Sequence, residues 1–203
     1  MTTNLGFSTS VDFLEKLKNQ TAQAHKKLES LPVSASILSP NMEMGDYYNY
    51  LSLMYDVHIS IQEVVFPLLA DLIPDLKERE KTQLINDDFA YLNYKKNKTI
   101  PVLTKSDISI PFALGILYVV EGSSLGGRFI LKNLETIPGL DHQKGVAYFT
   151  GYGNKTGSYW KNFLNILTSY QEQNNNEDEI IKGAVYAFDC IYNHFLNTVN
   201  NEN

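Results

Sequence analysis

From Asp12 onward, apolar and polar residues alternate with the period of an α-helix. Phe13, Leu14, Leu17, Thr21, Ala24, His25, Leu28 and Leu31 fall three or four positions apart, which places them on one face of an amphipathic helix. Asp12 and Glu15 stand where a capping pair opens such a helix. The same pattern returns at Tyr47, Leu51, Met54, His58, Ile61 and Val65. Pro32 and Pro40 bracket a short turn or helical piece, and Pro67 and Pro74 interrupt the chain beyond the second long helix. "DLKEREKTQLINDDFAYL" predicts a helix with a highly charged outer face, and "NYKKNKTIPVLTKSDIS" a solvated loop. Pro111 suits the first turn of a further, very apolar helix. A glycine-rich connection leads to two closing helices, "SYWKNFLNILTSYQ" and "EDEIIKGAVYAFDCIYNHFLNTV". Two-residue alternation is scarce, so the pattern predicts an all-α fold of about seven or eight helices. Residues 1–10 read as a flexible lead and 11–200 as one helical domain.

The apolar helix contains an anomaly, "YVVEGSSLGGRF" at 118–129. Each glycine inside a helix costs about 1 kcal/mol relative to alanine, yet Gly122, Gly126 and Gly127 crowd together here. Gly115, Gly122 and Gly126 share a face by their spacing, with Ser123 and Gly127 beside them. Two readings fit a strip so bare. Small residues let another helix approach closely, or they leave room for a flat ligand against the backbone. Adjacent glycines also permit a bend.

Composition narrows the function classes. The chain has 203 residues, 43% of them hydrophobic and 20% charged, an ordinary mixture for one globular domain. The net charge of −6 argues against general nucleic-acid binding, which needs a cationic surface. No basic-then-apolar segment opens the chain, and the run "FALGILYVV" is too short to cross a bilayer. The lone Cys190 excludes a disulfide framework, fits a reducing cytoplasm and reads as an inert core residue.

His25 is the candidate with company. It lies on the apolar stripe, where a lone histidine is commonly a satisfied core residue. Glu29, four residues on, can reach the same ring, and a metal-bound imidazole usually gives its second N–H to such an acceptor. Lys18 lies two turns earlier on that face, roughly 10 Å away. A ligating nitrogen with a cation at that separation suits a planar macrocycle whose metal is central and whose anionic groups are at the rim. His58 and His194 read as core or boundary residues and His142 as a solvated loop residue. None of the four histidines comes three positions after a Glu, so the bundle-type di-iron pattern is missing.

"LKNQTAQAHKKLE" followed by "YVVEGSSLGG" resembles the heme oxygenases, in particular their bacterial biliverdin-producing branch. "WKNF" at 160–163 and "AVYAFDCI" at 184–191 resemble that family's closing helices, so the likeness runs from about Lys18 to Phe195. It implies a single all-α domain with heme (haem) b held between a proximal and a glycine-kinked distal helix. By this resemblance His25 is the proximal iron ligand, Glu29 the acceptor for its other nitrogen, and Lys18 a partner for a heme propionate. Gly122, Gly126 and Gly127 correspond to the distal glycines, Lys161 to a positive charge near the propionates, and Tyr118 to a polar ring at the pocket rim. In animal-type enzymes an aspartate that organises distal water comes directly after the first distal glycine. Ser123 stands there instead, and its hydroxyl is a weaker acceptor.

The implied reaction is cleavage of heme to biliverdin, CO and iron, consuming O2 and external electrons, in the cytoplasm. Ferredoxin, flavodoxin or a flavin reductase is the implied class of donor, and a phytochrome an implied acceptor of biliverdin. Two other readings of the same chain are a heme carrier without turnover, suggested by Ser123, and a non-heme helical enzyme of the thiamin-salvage type.

Overall fold

The computed structural model describes residues 5–141 and 144–201, with side chains across 12–141 and 144–197. Residues 1–4 of the expected 1–10 lead, and His142, therefore lie outside the described residues, while residues 5–10 belong to α1. The chain forms α1 (Leu5–Glu29), α2 (Pro32–Leu38), α3 (Met44–Val64), α4 (Phe66–Leu69), α5 (Thr82–Tyr91), α6 (Ile110–Ser123), α7 (Gly127–Leu134), α8 (Ala147–Thr150), α9 (Thr156–Asn174) and α10 (Glu177–Asn201). Single 3-10 turns cover Lys77–Arg79, Ser124–Gly126 and Gly153–Lys155. No strand occurs among the described residues, as the periodicity predicts.

Local chemistry sets many of these boundaries. Pro32 opens α2 where its missing N–H does no harm. Asp46 accepts the Glu43 amide at 2.9 Å, one half of a capping box for α3. The Ser109 hydroxyl accepts the Phe112 amide at 3.4 Å and starts α6. Asn175 ends α9 in the left-handed region, at φ 50°. Two expectations are corrected. Asp12 does not cap α1, because the helix already begins at Leu5. The charged segment from Asp75 is not one helix: it turns through Lys77–Arg79, breaks at Glu80, and resumes at Thr82. Its charges are not all on an outer face either, because Arg79, Lys81 and Asp88 are buried.

α6 is the central element, and every residue from Phe112 to Leu117 is buried. The run Ile110–Leu134 has the length and hydropathy of a membrane span, yet 56% of that window is buried inside the protein. Its main neighbour is α10, which also packs on α1. Two glycines let α6 and α10 close on each other. A Cβ at Gly115 would stand 1.9 Å from the Ile180 carbonyl oxygen, and one at Gly183 would stand 2.1 Å from that of Phe112. For Gly115 the close-packing reading is therefore the right one. α9 touches α1, α6 and the 3-10 turn after α6.

Residues 94–109 carry no regular secondary structure but are pinned throughout. Asp56 accepts from the Lys96 ammonium and the Ile100 amide, both at 3.0 Å. Ser60 accepts the Val102 amide at 2.9 Å, and the Tyr186 hydroxyl accepts the amides of Thr104 and Lys105 at 3.1 and 3.0 Å. His194 Nε2 lies 3.2 Å from Asp56. The loop is solvated at Lys95 and Lys98, whereas Lys96 is half-buried in its ion pair.

The glycines of α6–α7 thus divide by environment, and their alanine variants should too. Gly115→Ala, which meets backbone, should destabilise the protein by about 3 kcal/mol, the upper range for an overpacked core. Gly126→Ala meets nothing within 4 Å and should change stability by less than about 1 kcal/mol. Urea unfolding of both variants measures the difference, and equal losses would contradict the assignment.

Candidate active site

The first wall of the site is α1. Phe13, Leu17 and Thr21 turn inward and are buried. The neighbouring stripe, with Lys18, His25 and Glu29, faces out. His25 is not a core residue: its side chain is 56% exposed. Its Nδ1 lies 3.4 Å from a Glu29 carboxylate oxygen. The ring of Phe188, on α10, meets the imidazole edge-on, with centroids 5.6 Å apart and planes at 87°. Those two contacts hold the ring from one nitrogen and one flank. Nε2 has no protein partner among the described residues. Close by, the Lys27 ammonium sits over the Tyr192 ring at 3.9 Å and closes the seam between α1 and α10.

The second wall is the bend. At the end of α6 the Ser123 hydroxyl donates to the Val120 carbonyl at 2.7 Å, and the Ser124 hydroxyl to that of Glu121 at 2.6 Å. The helix then tightens through Ser124–Gly126 before α7 begins. Gly126 opens onto free space, a Cβ at Gly122 would meet the Trp160 ring at ordinary contact distance, and one at Gly127 would stand 2.9 Å from the Phe149 carbonyl oxygen. Leu125 and Phe129 are exposed, at 48% and 61%. Tyr118 packs on Trp160 with centroids 5.5 Å apart, and Lys161 comes next on the exposed side of α9.

The two walls are joined by shared supports. α10 carries Phe188 against His25 and, through Gly183 and Ala184, the flank of α6. α9 brings Trp160 to Gly122 and also touches α1. Cys190 is half-buried on α10 beside Tyr186, and burial pushes its thiol up.

Behind the bend lies a polar layer that the sequence pattern does not reveal. Arg79, fully buried, pairs with Glu121, the residue before Gly122. It also donates to both Asp75 carboxylate oxygens at 2.9 Å and to the Tyr159 carbonyl at 3.2 Å. The Tyr152 hydroxyl donates to Glu121 at 2.8 Å, and the Tyr152 ring stacks on Tyr159 at 4.2 Å. Burial raises the Glu121 carboxyl, while Arg79 and Tyr152 pull it back. His58 lies 3.1 Å from the Tyr148 hydroxyl, and burial lowers its imidazole to about 3. The Asp88 carboxylate accepts the amides of Ala147 and Tyr148 at 2.7 and 2.9 Å, which fixes α8 under Gly127. The sequence signal for this layer is a single carboxylate, Glu121, in an otherwise apolar helix.

Three comparisons bear on this arrangement. The family model for heme oxygenase matches residues 11–197. Heme oxygenase PigA of Pseudomonas aeruginosa is 28% identical over 179 residues, 86% of this chain and 86% of that protein. Among solved structures, the NO- and CO-bound heme oxygenase of Neisseria meningitidis superposes with a TM-score of 0.77 at 23% identity, covering 93% of this chain and 92% of that one. Heme oxygenase from Leptospira interrogans gives 0.71 at 19%, covering 90% and 98%. Heme oxygenase-1 of Synechocystis in complex with heme gives 0.66 at 15%, covering 93% of each chain. At these identities the structural matches establish the shared fold.

The buried imidazole behind the bend has a pH signature. His58 titrates near 3 when folded against an ordinary 6.5, so the unfolded chain binds its proton first. Its stabilising contribution is complete above 6.5 and is lost as pH falls. The slope should approach about 1.4 kcal/mol per pH unit. Asp56, which His194, Ile100 and Lys96 together hold below its ordinary 3.8 against the opposing effect of burial, keeps its stabilising contribution throughout this range and loses it only below 3.8. Urea unfolding between pH 6.5 and 4.5 should show the slope in the native chain and lose it in His58→Gln.

Proposed function

This chain belongs to the heme oxygenase family, whose reaction cleaves heme to biliverdin with release of CO and iron, and from that premise we propose how its own residues carry the reaction out. Heme binds between α1 and the bend of α6–α7, with His25 as the iron's proximal ligand. The observation that carries this reading is the His25 imidazole itself. It is exposed beside a packed stripe, Nδ1 is 3.4 Å from Glu29, and Nε2 is free of protein partners among the described residues. That is the arrangement of a metal-ligating histidine with its outer acceptor. Among the described residues no three His, Cys, Asp or Glu side chains converge as a ligand set. A single protein imidazole therefore suits a metal that brings its equatorial ligands with it, as a porphyrin iron does.

Bound heme supplies both the iron that activates O2 and the ring that is oxidised. The chain's part is placement and polarity. Glu29 accepts the Nδ1–H and fixes the tautomer that presents Nε2, and Phe188 limits rotation of the ring. Gly126 keeps a side chain out of the opposite face, and Gly122 leaves its backbone bare beside the Trp160 ring, so that main chain roofs it. Gly127 has a different task, since it lets α7 close on the Phe149 carbonyl. The Ser123 proton is committed to the Val120 carbonyl, so this hydroxyl offers its lone pairs and serves as an acceptor that holds distal water. Lys18 and Lys161, both exposed, pair with the propionates and fix the in-plane seating of the ring, with Tyr118 at the rim beside Trp160. The reading extends to a cytoplasmic bacterial enzyme that takes electrons from a ferredoxin, a flavodoxin or a flavin reductase and passes biliverdin to an acceptor such as a phytochrome.

Hemin titration tests the placement. The native chain should take up one equivalent with a sharp Soret band, and His25→Ala should lose that band. Glu29→Ala should lose roughly 10-fold to 100-fold in heme affinity or turnover. Gly126→Leu should fold and bind heme, yet release little biliverdin with reductant and O2. An unchanged spectrum in His25→Ala would exclude residue 25 as the ligand, and heme bound but never converted by the native chain would favour a carrier.

A further inference from the structure

The layer behind the bend encloses a cavity of about 40 Å3, room for roughly two or three waters. Ser123, Ser124 and Gly127 form its wall toward the bend, and Lys81 and His58 stand among its other lining residues. Lys81 opens α5 and is only 6% exposed. Its ammonium lies 3.2 Å from the centre of the Tyr152 ring. No carboxylate or carbonyl lies within hydrogen-bonding distance of it among the described residues. Glu121, whose carboxylate acts on Lys81 electrostatically, is engaged by Arg79 and Tyr152. A lysine buried without an ionic contact, facing a water-sized space, costs the fold stability, and the Tyr152 ring offsets only part of that cost.

We propose that Lys81 is the proton store of the distal pocket: its ammonium gives a proton through the cavity to the face formed by Ser123, Ser124 and Gly127, becomes a neutral amine, and regains the proton from bulk water. The assignment rests on the functional reading above and adds the group that supplies its protons. Lys81 acts through the cavity and does not touch heme, so it is a positioning residue for the proton.

The other lining groups fail as sources. His58 is neutral at physiological pH, with its ring held near 3. It can pass a proton with the Tyr148 hydroxyl but has none in store. Burial raises the phenol of Tyr50 to about 12, and those of Tyr148 and Tyr152 well above their usual value. The serine hydroxyls donate to their own helix. Burial lowers the Lys81 amine to about 8, with Glu121 raising it and Arg79 lowering it further. Proton transfer is most efficient from a group poised near the working pH.

Two measurements test the assignment. In the heme-free protein, NMR of isotope-labelled lysine side chains should show one amine titrating near pH 8, absent in Lys81→Arg. A Lys81 midpoint above pH 10 would overturn the proposal without any reference to heme. In the heme-loaded protein, biliverdin formation should fall about tenfold per pH unit above 8. Lys81→Arg keeps the charge but does not release the proton, so it should flatten that descent and slow the reaction at pH 7 by about 100-fold. Native rates and an unchanged pH profile in Lys81→Arg, with normal hemin uptake, would sink this proposal alone. Failure of the native chain to bind hemin would sink the functional reading instead.

Discussion

The bend between α6 and α7 depends on a buried ion pair. Arg79 leaves a 3-10 turn, enters the protein and meets Glu121 one residue before Gly122. Its remaining donors go to Asp75 and to the Tyr159 carbonyl, so the guanidinium ties the turn, α6 and α9 at one point. Two charges taken out of water gain little net stability. Leaving either alone costs about 3–5 kcal/mol. The pair therefore works as a register pin: α6 cannot slide or rotate without stranding a charge, and the serines and glycines beyond it are held where they are.

The glycines of α6 and α7 do different work in one stretch of chain. Gly115 lets a backbone in, together with Gly183 across the seam. Gly126 keeps a space open, and Gly127 sits under the carbonyl of Phe149. Close packing at one end of the helix and openness at the other are complementary. A helix that gives up side-chain contacts at 122–126 needs firm anchorage elsewhere, and its anchors are α10 and the Arg79–Glu121 pair. The α1 side obeys the same logic, with α10 supporting His25 through Phe188 and α1 through Tyr192.

The all-α architecture, the bend and the His25–Glu29 pair were legible in the sequence because each is written in local spacing: three to four residues between apolar positions, four between the imidazole and its carboxylate, and two adjacent glycines. Asp12 misled because an exposed aspartate is tolerated, at a small cost, inside a helix whose start lies further back. The charged segment at 75–92 misled for a different reason. Its charges look like a solvated face, but a helical break at Glu80 turns Arg79 and Lys81 inward, toward distant partners at Glu121 and Tyr152. Long-range pairing of that kind leaves no periodic trace. Glu121, a carboxylate amid Val and Gly, was the one visible sign that a buried cation had to exist.

The span at 94–109 adds a mechanical constraint. Asp56, Ser60 and Tyr186 grip its backbone from two helices, and Asp56 also holds His194 near the far end of α10. An irregular segment is ordinarily where a chain tolerates a nick, an insertion or new termini. This one behaves as a strap buckled at several holes, so a protease or a circular permutation aimed there would undo its grip on both helices at once.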